Sequence, residues 1–164
     1  LDVGCGESRY QKTLKHLVEE EGVGYHGVEP NSQLAADFAA VCPWAQVSVC
    51  KIEDLRLEPE SYDHILILRS YNHFADPAAV ISVLNRALKT GGSMVIADNV
   101  AFGLVRTVEQ ARVAEAGPAD FEHFHNHSGK EARRLVVSNQ LRLVDSVDVT
   151  VHTSNQWYLC LKRT

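Results

Sequence analysis

The run Leu1-Asp2-Val3-Gly4-Cys5-Gly6-Glu7-Ser8 joins an apolar strand end to a tight glycine turn and the start of a helix. Glycines let the backbone bend sharply and come close to a ligand, and the first turn of a helix offers unpaired N–H groups. A second strand ends in Gly27-Val28-Glu29-Pro30, placing a carboxylate where it accepts hydrogen bonds from both hydroxyls of a ribose. Together these features describe a site for a nucleoside-containing cofactor. Each alone says little, because Gly-x-Gly turns are widespread and Glu29 would equally serve to cap a helix beginning near Asn31. Asp2 lies so close to buried strand residues that its carboxyl must find donors or shift its pKa.

Histidine is the side chain suited to moving protons near neutral pH. His73, in Tyr71-Asn72-His73-Phe74, follows an apolar run and so falls at the sheet edge where open α/β folds bind ligands. The competing role is to cap its own helix. His123, His125 and His127 alternate with Phe124 and Asn126. If extended, the three share one face and offer a proton acceptor in a substrate pocket, a plain polar loop, or a divalent-metal site helped by Asp120 and Glu122. The metal reading ranks last, since no cysteine lies nearby. Arg133-Arg134 reads as the exposed face of a helix.

The elements that must position these residues follow from periodicity. Short apolar runs at Leu1–Val3, Tyr25–Val28, Gln46–Val49, Tyr62–Leu68 and Ser93–Ala97 predict strands. Helical spacing links Tyr10, Leu14, Leu17 and Val18; Leu34, Phe38 and Val41; and Val80, Ile81, Leu84, Ala87 and Leu88. Asp76-Pro77 reads as an N-cap with proline in the first turn, and Gly91-Gly92 as the turn after that helix. Ser128 and Glu131 form a capping-box pattern ahead of Ala132, Leu135 and Val136. Leu141–Val151 and Gln156–Leu161 flank His152-Thr153-Ser154-Asn155 and predict an antiparallel hairpin. The predicted fold is α/β, a Rossmann-like doubly wound sheet of seven strands, mostly parallel, closing in that C-terminal hairpin. Residues 101–127 fit neither period and read as a substrate-covering insertion, with a helix over Leu104–Ala116 ended by Gly117-Pro118.

The ordered series of motifs resembles the class I S-adenosylmethionine (SAM) dependent methyltransferases, in the small-molecule, type 11-like branch whose first motif reads Asp-x-Gly-x-Gly. The likeness spans nearly the whole chain: the glycine turn, Glu29, Ile52-Glu53-Asp54-Leu55, Ser61-Tyr62-Asp63, His73 with Asp76-Pro77, and Leu88-Lys89-Thr90-Gly91-Gly92-Ser93. The resemblance implies that Gly4 and Gly6 face the methionine part of SAM and that Asp2 orders their loop and reaches the ammonium through water. It implies that Glu29 holds the ribose, Pro30 and Ile52 the adenine faces, and Arg69, through its backbone, the amino group. Ser8 stands where a third glycine is frequent, and Lys51 where an Asp often reads the adenine amine, leaving that task to backbone near Ile52 and to Glu53 or Asp54.

Methyl transfer requires alignment, with a base only where the acceptor must lose a proton; His73 and His125 are the candidates. Arg69-Ser70-Tyr71-Asn72 replaces the Asn/Asp-Pro-Pro-Tyr sequence of amide and exocyclic-amine methylation, so the expected acceptor is a small molecule, with oxygen ahead of carbon and nitrogen. Two other functions compete. A nicotinamide-dependent oxidoreductase needs a third glycine where Arg9 stands. A degenerate methyltransferase-like domain, acting as a binding or regulatory module, fits Ser8 and Lys51 but leaves Asp2, Gly4, Gly6 and Glu29 unexplained.

Composition bounds the rest. The 164 residues suffice for one domain, and no apolar run has the length of a membrane-spanning helix. A net charge of −5, without a dense basic cluster, argues against nucleic-acid partners. Cys5, Cys42, Cys50 and Cys160 are widely spaced and read as free thiols in a reducing cytoplasm. The chain opens on Leu1 without a signal-peptide pattern and reads as a trimmed fragment. Oligomeric state is open.

Overall fold

The computed structural model describes residues 1–6, 10–100, 125–137, 139, 141–149 and 155–164. These form two compact units, Leu1–Arg56 and Leu57–Thr164. The predicted helix over 104–116, most of the expected insertion, His123, and the turn residues 152–154 lie outside the described residues, as does Ser8.

In the first unit, strands β1 (Asp2–Val3), β2 (His26–Val28) and β3 (Gln46–Ser48) alternate with helices α1 (Gln11–Glu21) and α2 (Ser32–Val41). The strands are parallel in the order β3-β2-β1, with Asp2 opposite Gly27 and Gly27 opposite Val47. Helix α1 stops at Gly22, whose φ of 66° is left-handed. Helix α2 starts at Asn31, whose side chain accepts the N–H groups of Gln33 and Leu34.

Two residues depart from the predicted apolar stripes. Tyr10 and Val41 are each 54% exposed. Tyr10 precedes the first helical residue, so it cannot share the face of Leu14 and Leu17; in α2 the buried row runs through Ala35, Phe38 and Cys42, a register that turns Val41 outward. Tyr25 stacks on Phe38 with ring centroids 5.6 Å apart and meets Trp44 edge-on at 5.5 Å. Gly27 has no room for a side chain, since a Cβ would stand 2.8 Å from the Cys5 sulfur.

The second unit contains β4 (Tyr62–Leu68), α3 (Pro77–Ala87), β5 (Leu88–Asn99), α4 (Gly129–Val137), β6 (Leu141–Val147) and β7 (Gln156–Arg163). Its strand order is β4-β5-β7-β6, with β4 and β5 parallel and the other two pairings antiparallel. The fold is α/β, with seven strands that pair in parallel except where β7 joins β5 and β6. Asp76 caps α3 by accepting the Ala79 N–H, with Pro77 in the first turn. Ser128 and Glu131 form the expected reciprocal box at α4. Val80, Ile81, Leu84, Ala87 and Leu88 are all buried, as are Ile65, Ile67, Met94 and Ile96 of the paired strands.

The sequence placed a turn at Gly91-Gly92 and a strand start at Ser93. Instead β5 begins at Leu88, and the stretch Leu88 to Ser93 lies opposite Tyr62 to His64 as an irregularity in the ladder. Gly91 at φ 79° supplies the left-handed residue that this bulge requires. At the other end β6 stops at Val147, short of the predicted Val151. Asp148 there accepts the Val149 N–H with its own side chain, a local bond that competes with a ladder. Among the described residues no helix is long and apolar enough to cross a membrane.

Candidate functional site

The glycine turn is built by its backbone. Gly4 and Gly6 have φ of 74° and 52°, which side chains disfavour. The N–H groups of Gly4 and Cys5 both donate to the Val28 carbonyl, at 2.8 and 3.2 Å, fastening the turn to the end of β2. Among the described residues, chain neighbours aside, no atom lies within 4 Å of where a Gly6 Cβ would sit, so that face of the turn is open to them.

Glu29 follows β2 and is buried at 7% exposure. Its N–H continues the ladder to the Ser48 carbonyl at 3.0 Å. Its carboxylate accepts the Gly6 N–H at Oε2, 3.0 Å, and the Asn31 N–H at Oε1, 2.9 Å. The helix-capping reading of Glu29 is therefore partly realised, but the cap proper is Asn31. Each carboxylate oxygen retains acceptor capacity beyond its one backbone bond.

Asp2, 5% exposed, accepts a 2.6 Å hydrogen bond from the Tyr25 hydroxyl. Burial pushes the Asp2 carboxyl above its ordinary range, and the Tyr25 bond partly opposes that shift. An acid whose folded pKa is raised holds its proton longer when folded than when unfolded, so this group lowers stability as pH rises from its ordinary value through its folded one. The same burial pushes the Tyr25 hydroxyl up, and the Cys5 thiol up to about 12, with the Asp2 and Glu29 charges adding to the effect on Cys5. Cys5 is thus no nucleophile here. Pro30 is exposed; Ile52 opens a 3-10 turn, Ile52–Asp54, and is 5% exposed, whereas Lys51, Glu53 and Asp54 face solvent.

In the second unit the C-terminal ends of β4 and β5 carry the remaining candidates. Arg69 has φ 63°, a conformation uncommon for a residue with a side chain. Its N–H donates to the Ala97 carbonyl at 2.7 Å, so its backbone offers a ligand only the carbonyl. The 3-10 turn Tyr71–His73 follows, with the His73 N–H bonded to the Ser70 carbonyl at 3.1 Å and its side chain half-buried. Since Asp76 caps α3, His73 is not needed for that task.

Asn72 is fully buried between this turn and the 125–128 segment. Its N–H donates to Asp98 Oδ2 at 2.9 Å, and its Nδ2 to the Asn99 carbonyl at 3.3 Å. Its Oδ1 accepts the His127 N–H at 3.0 Å, and its carbonyl the His125 N–H at 3.1 Å. The rings of His125 and His127 stack at 4.7 Å. Tyr25, Asn72 and Asp98 did not emerge from the sequence as side-chain partners. A buried-strand Asp with a Tyr on the neighbouring strand was a signal for the first; the other two depend on strand register. Among the described residues no group of three His, Cys, Asp or Glu is placed to hold a metal ion.

Comparison with known proteins places this geometry in context. Residues 1–96 match a family model described as a methyltransferase domain. An uncharacterized 37.1 kDa protein in transposon TN4556 of Streptomyces fradiae is 30% identical over 100 residues, covering 60% of this chain and 29% of that protein. The chain therefore spans less than a third of that curated relative. Phosphoethanolamine N-methyltransferase 2 of Haemonchus contortus, solved with S-adenosyl-L-methionine, superimposes with a TM-score of 0.76 at 13% identity, covering 99% of this chain and 47% of that one. Geranyl diphosphate C-methyltransferase of Streptomyces coelicolor A3(2), solved with Mg2+, geranyl diphosphate and S-adenosyl-L-homocysteine, does so with a TM-score of 0.72 at 18% identity, covering 99% and 70%. At these identities the structural likeness establishes the fold.

Proposed function

The chain belongs to the methyltransferase-domain family, and from that membership we propose that it moves a methyl group from S-adenosylmethionine to a small-molecule acceptor, oxygen ahead of carbon and nitrogen. The observation that carries this reading is the Glu29 carboxylate, fixed at each oxygen by a backbone N–H and still able to accept from a vicinal diol. The residues fit the cofactor further in the open face at Gly6 and in Asp2 beside the turn. Pro30, Ile52 and Glu53 are assigned to adenine and the Arg69 carbonyl to the amino group. When bound, SAM supplies a methyl group on a positively charged sulfur, which keeps the bonding electron pair on transfer.

Support for an oxygen acceptor comes from position 69, where Arg69 stands in place of the Asn or Asp of the amine-methylating sequence and its side chain has no oxygen to receive an amine proton. A hydroxyl acceptor instead needs a base, and His73 or His125 takes that role.

Calorimetric titration with SAM, S-adenosylhomocysteine and NAD tests the reading. Binding of SAM and its product without NAD supports it; binding of none of the three overturns it in favour of a degenerate module, and NAD binding alone in favour of an oxidoreductase.

Repeating the SAM titration across pH tests Asp2. Tyr25→Phe removes the hydrogen bond that favours the ionised carboxylate, a contact of about 1.5–3 kcal/mol for a charged acceptor. Burial then meets less opposition, and the Asp2 pKa rises further. If ionised Asp2 serves the cofactor, binding is lost as pH falls through that pKa, so the acid limb of the profile is expected at higher pH in the variant. Coincident profiles would separate Asp2 from the cofactor.

A further inference from the structure

We propose that Nδ1 of His125 is the proton-accepting atom of the site and that Asn72 is the residue that positions it. The purpose of this atom rests on the methyl-transfer reading; its geometry does not.

The Ala75 carbonyl stands 3.4 Å from His125 Nε2. A carbonyl only accepts, so Nε2 carries the hydrogen and the neutral ring presents a bare lone pair at Nδ1. Among the described residues Nδ1 has no hydrogen-bond partner. The ring has little freedom to change this arrangement. Its backbone N–H is held by the Asn72 carbonyl, and its face lies on His127 with an interplanar angle of 29°.

His127 is fixed independently. Its N–H is held by Asn72 Oδ1, its carbonyl accepts the Trp157 indole N–H at 3.0 Å, and its Nδ1 is 3.3 Å from the Tyr71 hydroxyl. Asn72 thus grips alternate residues of one extended segment, which places both rings on one side. Asp98 anchors Asn72 in turn, and it belongs to β5, so the imidazole pair is referenced to the C-terminal edge of the sheet, where α/β folds bind ligands.

Among the described residues, the ionisable groups around the pair include His127 against His125, Tyr71 and Glu131 beside His127, and Asp98 near Tyr71. Burial and the neighbouring His125 hold His127 below the ordinary histidine range, with Glu131 opposing weakly. In the reaction, the O–H bond of the acceptor breaks, its proton joins Nδ1 to give an imidazolium, and water then removes that proton and restores the neutral ring.

Two experiments decide the matter without cofactor or acceptor. Long-range 1H–15N correlation on histidine-labelled protein, with His125→Gln to assign the signals, should show His125 as a single tautomer, protonated at Nε2 and bare at Nδ1. Asn72→Ser should collapse the two nitrogen shifts toward an averaged value while exposed His16 is unchanged. If that variant does not fold, the parent spectrum still decides: a proton on Nδ1, or a tautomer mixture, overturns the proposal. Methyl 4-nitrobenzenesulfonate, which gives its methyl group to an accessible imidazole lone pair as the sulfonate leaves, should label His125 at Nδ1, identified after hydrolysis. Labelling at Nε2, or none, counts against it. SAM binding can fail with both results positive, or succeed with both negative, so this inference and the methyl-transfer reading fall separately.

Discussion

Glu29→Ala is expected to weaken SAM binding by about five- to 150-fold, because a charge-assisted contact to a ribose diol contributes on the order of 1–3 kcal/mol. The substitution also leaves the N–H groups of Gly6 and Asn31 without their acceptor, so the turn itself is loosened. Glu29→Gln separates the two effects. Its amide oxygen keeps one acceptor, while its NH2 replaces the other with a donor that must turn away from a backbone N–H. Glutamine should therefore weaken binding less than alanine. Calorimetric dissociation constants, read beside thermal midpoints without ligand, check this ordering. An alanine variant that binds SAM as well as the parent would remove the observation on which the proposed function stands.

The parts of this site that were legible in the sequence are those whose residue type answers a local demand. Gly4 and Gly6 adopt positive φ, which their neighbours in a strand-to-helix turn could not do without strain. Asp76-Pro77 and Ser128 with Glu131 are caps completed within a few residues, and both formed as written. Glu29 was visible as a strand-end carboxylate, though not the clamp on its two oxygens, which brings Gly6 from one strand end and Asn31 from the following helix.

What was not legible depends on register between distant segments. Asp98 meets Asn72 only because β4 pairs with β5 so that Leu68 lies opposite Ala97. Tyr25 meets Asp2 because β1 pairs with β2 at Asp2 and Gly27. Spacing also misplaced Tyr10 and Val41: a stripe of apolar residues admits more than one register, and the close packing of Cys42 and Phe38 against Tyr25 selects the one that leaves Val41 outside. Of the three alternating histidines, the stacking of His125 on His127 was accessible to a strand-period argument, whereas the direction of each ring follows from Asn72 and Ala75.

The largest effect on stability is expected at Trp157. Its side chain is 1% exposed, lies edge-on to Tyr71 at 5.6 Å, and donates its indole N–H to the His127 carbonyl. Gly129 at the start of α4 is kept small by it, since a Cβ there would be 3.1 Å from the Trp157 Cβ. Trp157→Ala removes this packing from between β7, α4 and the Tyr71 ring, and should cost about 3–5 kcal/mol, as large-to-small changes of buried aromatics do. Against a total stability of roughly 5–15 kcal/mol, that is a substantial share. Trp157→Phe retains most of the apolar volume and drops the donor, so its cost should be nearer the 1–3 kcal/mol of an unpaired buried acceptor. Urea unfolding, read as a shift in midpoint at constant slope, measures both. If alanine and phenylalanine cost the same, the indole N–H rather than the ring volume dominates, and Trp157 holds the His127 carbonyl more than it fills the core. If neither shifts the midpoint, the packing of β7 against the histidine segment contributes nothing to folding, and the imidazole pair is held by Asn72 alone.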